Sequence, residues 1–177
     1  AVSRGHPISG LPEGFNKVIG HGFVAGLPVS VAVMLATTLV GWYVLAWTRW
    51  GRYLYAVGGN EEAARFAGVP VGTTKLLAYV GAGLTAGISA VLMTAWLGTA
   101  QSTAMTAGEL DVIAAAVIGG ASLMGGHGTA LGALLGAAIM GVLRNGLVLL
   151  DCPAYYRDVS VGLVILLAVA LDRTRKG

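Results

Sequence analysis

No Asp, Glu, Lys or Arg stands between Lys17 and Arg49, and the heart of that gap, Leu27 to Trp47, is almost wholly apolar. About twenty such residues in helical form cross the hydrocarbon of a bilayer. Inside lipid every backbone N–H and C=O needs a partner within the chain, so a run like this has few options besides a helix. Pro28 falls in the expected first turn, where a missing N–H is harmless, and Trp42, Tyr43 and Trp47 mark the far end as interfacial aromatics.

The pattern repeats. Lys75 to Leu97 is a second long apolar run, ending near Trp96, and Thr129 to Leu150 is another full span. Tyr155 to Leu171 is a shorter last one. Between them, Glu109 opens a run that stops near Ile118, where Gly119, Gly120, Gly125, Gly126 and Gly128 follow in close order. A straight helix does not choose such a run, so a short or broken helix followed by irregular backbone is expected. The fold class is therefore all-α: a polytopic transmembrane helical bundle of about five segments, one of them short or broken.

Composition agrees. The chain is 56% hydrophobic and 11% charged, against about 25% charged in an ordinary soluble domain. A chain of 177 residues cannot hide that much apolar surface in one water-soluble core. Net charge is +3, yet the Lys and Arg residues cluster between uncharged runs and form no basic stripe interleaved with aromatics, which excludes a nucleic-acid partner. Cys152 is the single cysteine, so neither an internal disulfide nor a multi-cysteine metal site is available. His6, His21 and His127 are dispersed without metal-ligand spacing. No phosphate-cradling G-x-x-x-x-G-K-[ST] occurs, the carboxylates are scattered, and no catalytic residue, metal or cofactor is expected. The polar, Gly/Pro-rich start lacks the layout of a signal peptide and reads as the middle of a protein.

Orientation follows from the basic residues, which favour the cytoplasmic side. If five segments alternate, Arg49, Arg52, Arg65, Lys75, Arg173, Arg175 and Lys176 share one side, while Arg4, Lys17 and Arg157 share the other. Residues 1–26 then form an extracytoplasmic segment and 27–171 the membrane domain, with a cytoplasmic loop 48–74 inside it and a cytoplasmic tail 172–177. Asp111 and Arg144 are the charges expected at membrane depth, near the outer ends of their helices, where pairing and independent snorkelling are both open.

The loop 48–74 carries the clearest signal. Asn60 suits the N-cap of a small helix, Glu61 and Glu62 favour its positive end, and Ala63 and Ala64 give it a low profile. Gly68 suits the stop, with Pro70 preventing continuation. Glu62-Ala63-Ala64, three residues, then Gly68 resembles the EAA loop of ABC importer permeases, the coupling helix that docks on an ATPase. The flanking stretch Gly51 to Glu61 is similar to that of the ribose, xylose and galactose permeases. So are Glu109 to Gly120, Ser122 to Gly128, Asn145-Gly146-Leu147 and Tyr155-Tyr156. His127 departs from that pattern, which has a basic residue such as Lys there.

The resemblance covers about residues 40 to 172, in a family of roughly twice this length, and it implies a non-enzymatic transport subunit in a bacterial inner membrane. The implied partners are an ABC ATPase, a periplasmic or lipid-anchored substrate-binding protein, and a second permease subunit, identical or different. Asn60, Glu61, Glu62, Ala63, Ala64, Arg65 and Gly68 would form the coupling loop. Thr94, Gln101, Ser102, Thr103, Glu109 and Asp111 are the candidates for the solute path. Thr106 and Glu109 have the spacing of a capping box. The small faces Gly83-xxx-Gly87 and Gly128-xxx-Gly132-xxx-Gly136 suit close helix packing, first of all within the subunit. The resemblance implies ATP-driven import of a ribose-type monosaccharide; a permease for branched-chain amino acids or another small solute, an inactive truncated fragment and an ion-coupled secondary transporter are the competing readings.

Overall fold

The computed structural model describes residues 12–24, 26–101, 105, 108–151, 153, 156, 159, 160, 162, 163 and 166. A single turn, α1 (Glu13–Phe15), runs into a π-helical turn at Asn16–Gly20, and a two-residue hairpin pairs β1 (Phe23–Val24) with β2 (Leu27–Pro28). All other elements are helices: α2 (Val29–Trp47), α3 (Arg49–Gly59), α4 (Glu61–Phe66), α5 (Val71–Leu97), α6 (Gly108–Ile118) and α7 (Ala130–Leu149). Among the described residues, α2, α5 and α7 are long and apolar enough to cross a membrane. The chain is thus an all-α, multi-pass membrane protein. The fifth expected segment, at 155–171, lies largely outside the described residues, as do the tail 172–177, Thr106 and Cys152.

Two compact units form, one from residues 1–40 with 75–106 and the other from 41–74 with 107–177. In the first, the π-helical turn packs on the end of α5, where a Cβ on Gly20 would strike the Ala95 carbonyl and Ala95 itself is fully buried. Gly98 ends α5 with φ +68°, its N–H donating to the Thr94 carbonyl at 3.0 Å. Pro28 pairs with Phe23 in the hairpin, so it precedes α2 and is not in its first turn.

In the second unit the interior is made mostly of small residues. Ala114, Ala115 and Met140 form its buried cluster, with Ile118 packed against it. The α6–α7 contact is backbone on backbone: a Cβ on Gly136 would run into the Ala115 carbonyl, and one on Gly132 into the Gly119 carbonyl. Large side chains such as Leu135, Val142 and Leu149 point outward. That inversion is what lipid permits and water penalises, since close packing of small residues replaces the hydrophobic drive between helices. The small face of α7 therefore packs within the subunit as expected. Gly83 and Gly87 differ: among the described residues nothing lies within 4 Å of a Cβ on either.

The polar stretch 48–74 contains more structure than one capped helix. Thr48 breaks α2 from α3, its hydroxyl donating to the Val44 carbonyl at 2.7 Å and accepting from the Gly51 N–H at 3.2 Å. The second long span starts at Val71, four residues before Lys75, with the buried Thr74 hydroxyl donating back to the Pro70 carbonyl at 2.8 Å. At 27 residues α5 is about 40 Å long, more than the roughly 30 Å of hydrocarbon, so one end reaches beyond it. By contrast α6, with 11 residues, covers about half that thickness.

Candidate coupling helix and its support

α4 is closed at both ends by its own sequence. Asn60, extended at φ −155° and ψ 108°, accepts the Ala63 N–H on Oδ1 at 3.0 Å and supplies the N-cap. Glu61 and Glu62 occupy the first turn and Arg65 the last, each complementing the helix dipole. At the other end the Val69 N–H donates to the Ala64 carbonyl and the Gly68 N–H to the Arg65 carbonyl, both at 3.0 Å. With Gly68 at φ +77° this is a complete Schellman motif, and Pro70 follows it. Six helical residues would not hold a helix in isolation; the two caps define this one locally, and Ala64, 4% exposed, anchors it from below.

The opposite surface is open. Glu62, Ala63, Arg65 and Gly68 are exposed, and Glu61 is half-buried, 3.9 Å from Arg65 in an i,i+4 pair. Phe66 lies between them with 91% of its surface in the open. Sequence alone does not single it out, since Phe is more often core than surface. A protruding aromatic beside two small residues is a feature a partner's groove accommodates well.

α3, which runs into α4 through Asn60, is itself tied to the loop after α6. The Tyr55 hydroxyl donates to the Gly128 carbonyl at 2.6 Å. Near the end of the helix Gly58 meets the loop after α6 so closely that a Cβ there would sit 2.6 Å from the Gly126 nitrogen. The loop itself is internally tied, the Ser122 N–H donating to the His127 carbonyl at 3.0 Å and the Gly125 N–H to the Ser122 carbonyl at 3.1 Å.

The residues proposed from sequence for a solute path are placed less coherently. Glu109 is exposed in the first turn of α6. Two residues on, Asp111 is engaged by Arg144, Oδ2 to Nη2 at 2.8 Å, so these two charges pair across α6 and α7. Thr94 is half-buried near the end of α5, and Gln101 is exposed. Ser102 and Thr103 lie outside the described residues. A cavity of about 170 Å³ in the first unit lies between α2 and α5; Val33, Met34, Ile88 and Leu92 line it together with Ser30, Thr37, Thr85 and Ser89, and no charged residue does. Those serines and threonines are spread over two spans, and only tertiary structure groups them. Among the described residues no three His, Cys, Asp or Glu side chains gather as a metal site would need.

Residues 3–169 match the family described as the branched-chain amino acid transport system / permease component. The chain belongs to that permease family. Within it, the chain is 45% identical over 154 residues to the ribose import permease protein RbsC of Haemophilus influenzae, covering 87% of this chain and 48% of the relative. It is 42% identical over 172 residues to the RbsC of Bacillus subtilis, covering 97% and 53%. The xylose transport system permease protein XylH of Escherichia coli is 40% identical over 151 residues, covering 85% and 38%. The chain thus spans about half the length of the curated permeases it matches. No solved structure matches it.

Proposed function

We propose that this chain is part of the membrane-spanning subunit of an ATP-driven ABC importer that moves a monosaccharide of the ribose type across the bacterial inner membrane. The observation that carries this reading is α4: a helix capped at both ends that presents Glu62, Ala63, Phe66 and Gly68 outward. On this reading α4 docks on a separate ATPase subunit, and closure of two ATPases on ATP displaces it. The spans then open alternately to either side, and energy comes from the partner, with this subunit acting as conduit. A substrate-binding protein, periplasmic or lipid-anchored, delivers the sugar from outside, and a second permease subunit completes the path. The cytoplasmic side holds the loop 48–74 and the C-terminus, as the distribution of Lys and Arg favours.

The ribose and xylose permeases among the relatives support a pentose as solute. The description of the family favours a second reading, a branched-chain amino-acid permease. Competition of labelled ribose uptake by unlabelled xylose and leucine separates the two. Docking is tested by co-purifying the transporter in detergent as wild type, Gly68→Asp and Glu62→Lys. Wild type is expected to retain the ATPase and both variants to lose it; retention by both variants contradicts the assignment of α4.

A further inference from the structure

We infer that Tyr55 and Gly58 are positioning residues of a backbone clamp that carries motion of α4 into α6 and α7. The inference rests on the reading of α4 as the ATPase-facing helix. Only Asn60 separates α3 from α4, and it belongs to both: its N–H donates to the Ala56 carbonyl at 3.1 Å while its side chain caps α4. The two helices therefore have no slack between them.

α3 in turn grips the loop between α6 and α7 at two places. The first is the hydrogen bond from the Tyr55 hydroxyl to the Gly128 carbonyl, 2.6 Å long and bridging 73 positions of sequence. The second is the contact of Gly58 and Gly59 with Gly125 and Gly126. A Cβ on Gly126 would lie 2.8 Å from the Gly59 Cα, just as one on Gly58 meets the Gly126 nitrogen. Side-chain contacts absorb a displacement by changing rotamer, whereas touching backbones have no such freedom. The gripped loop is short and internally hydrogen-bonded, and it leads directly into Thr129, whose hydroxyl accepts the Gly132 N–H at 3.0 Å as the cap of α7. On its other side Gly120, at φ +86°, closes α6. A push on α4 thus reaches the broken helix and the span after it through one backbone contact, at Gly58, and one hydrogen bond, from Tyr55.

The test uses the complete transporter, with its ATPase and binding protein, in proteoliposomes. ATPase retention, ATP turnover and solute uptake are measured for Tyr55→Phe, Gly58→Ala and Gly141→Ala. Gly141→Ala is the control, because it lies outside the clamp and a Cβ there meets nothing within 4 Å. All variants are expected to hold the ATPase as wild type does. Uptake per ATP hydrolysed falls about fivefold in Tyr55→Phe, the factor one hydrogen bond is worth, and at least as far in Gly58→Ala. Gly141→Ala keeps the wild-type ratio. Tyr55→Phe leaves packing volume almost unchanged, so it stays informative if Gly58→Ala does not fold. An unchanged ratio in Tyr55→Phe, or uptake lost only in step with lost ATPase, overturns the clamp. Wild-type transporter whose ATPase retention is indifferent to Gly68→Asp and Glu62→Lys overturns the docking reading itself, and the clamp with it.

Discussion

Gly68 holds φ +77° with nothing within 4 Å of where a Cβ would point, so what keeps glycine there is backbone conformation and not space. An L-residue in that region costs about 1 kcal/mol, or roughly fivefold in the opening equilibrium of the cap. Gly68→Ala is therefore expected to raise amide exchange at Gly68 and Val69 about fivefold, with a smaller rise for Gly68→Asn. Equal exchange in wild type and Gly68→Ala contradicts the capping role. Asp111 and Arg144 make a different case, since their side chains are 22% and 44% exposed and their pairing depends on two helices meeting. Either neutral variant, Asp111→Asn or Arg144→Gln, is expected to lower stability in detergent by about 2 kcal/mol, between the values of surface and buried pairs. Exchanging the two, Asp111→Arg with Arg144→Asp, is expected to recover most of that; melting of the double variant below both singles contradicts a direct pair. The caps of α4 were legible in sequence because each acts within a few residues of itself. Which of pairing or snorkelling Asp111 and Arg144 would choose was not, because the answer lies in the approach of α6 to α7.

The elements divide the same way. The long spans and the broken helix were legible from charge-free runs and glycine spacing, with shifts of a few residues at the ends. α3 was not. Its sequence, Arg49 to Gly59, mixes two arginines with three glycines, and isolated it is a poor helix. What fixes it is tertiary: the Tyr55 hydroxyl bond and a backbone contact with a loop over sixty residues away in sequence. The glycines of α7 show why composition alone misleads. Gly136 lies against the Ala115 carbonyl, while a Cβ on Gly141 meets nothing within 4 Å, though the two look equivalent in sequence. Gly136→Ala is expected to force α6 and α7 apart and cost about 2 kcal/mol, by the overpacking of a closed contact. Gly141→Ala is expected to be neutral or to stabilise by up to about 1 kcal/mol through helix propensity. Thermal unfolding of the detergent-solubilised protein distinguishes them, and a larger loss at Gly141 contradicts the packing described for α7.

At the scale of the whole molecule, the three described spans long enough for a bilayer carry large side chains outward, and one short capped helix keeps an open surface of its own. Spans of this kind serve many transporters; the proposed role of α4 as a docking helix is what would assign the source of energy to another protein. The solute path was the least legible part, since serines and threonines mark it no more than they mark any loop, and Ser102 and Thr103 lie outside the described residues. Docking of α4 on the ATPase is therefore best tested by site-directed cross-linking. In a cysteine-free transporter, single cysteines are placed at Ala63 and Phe66 on α4, and at Val142 and Leu149, outward-facing on α7, as controls. A short thiol-to-amine cross-linker is then applied to membranes in which uptake is intact. A product joining the permease to the ATPase is expected from Ala63 and Phe66, and none from Val142 or Leu149. Active transporter that yields no ATPase product from either position on α4 contradicts that docking.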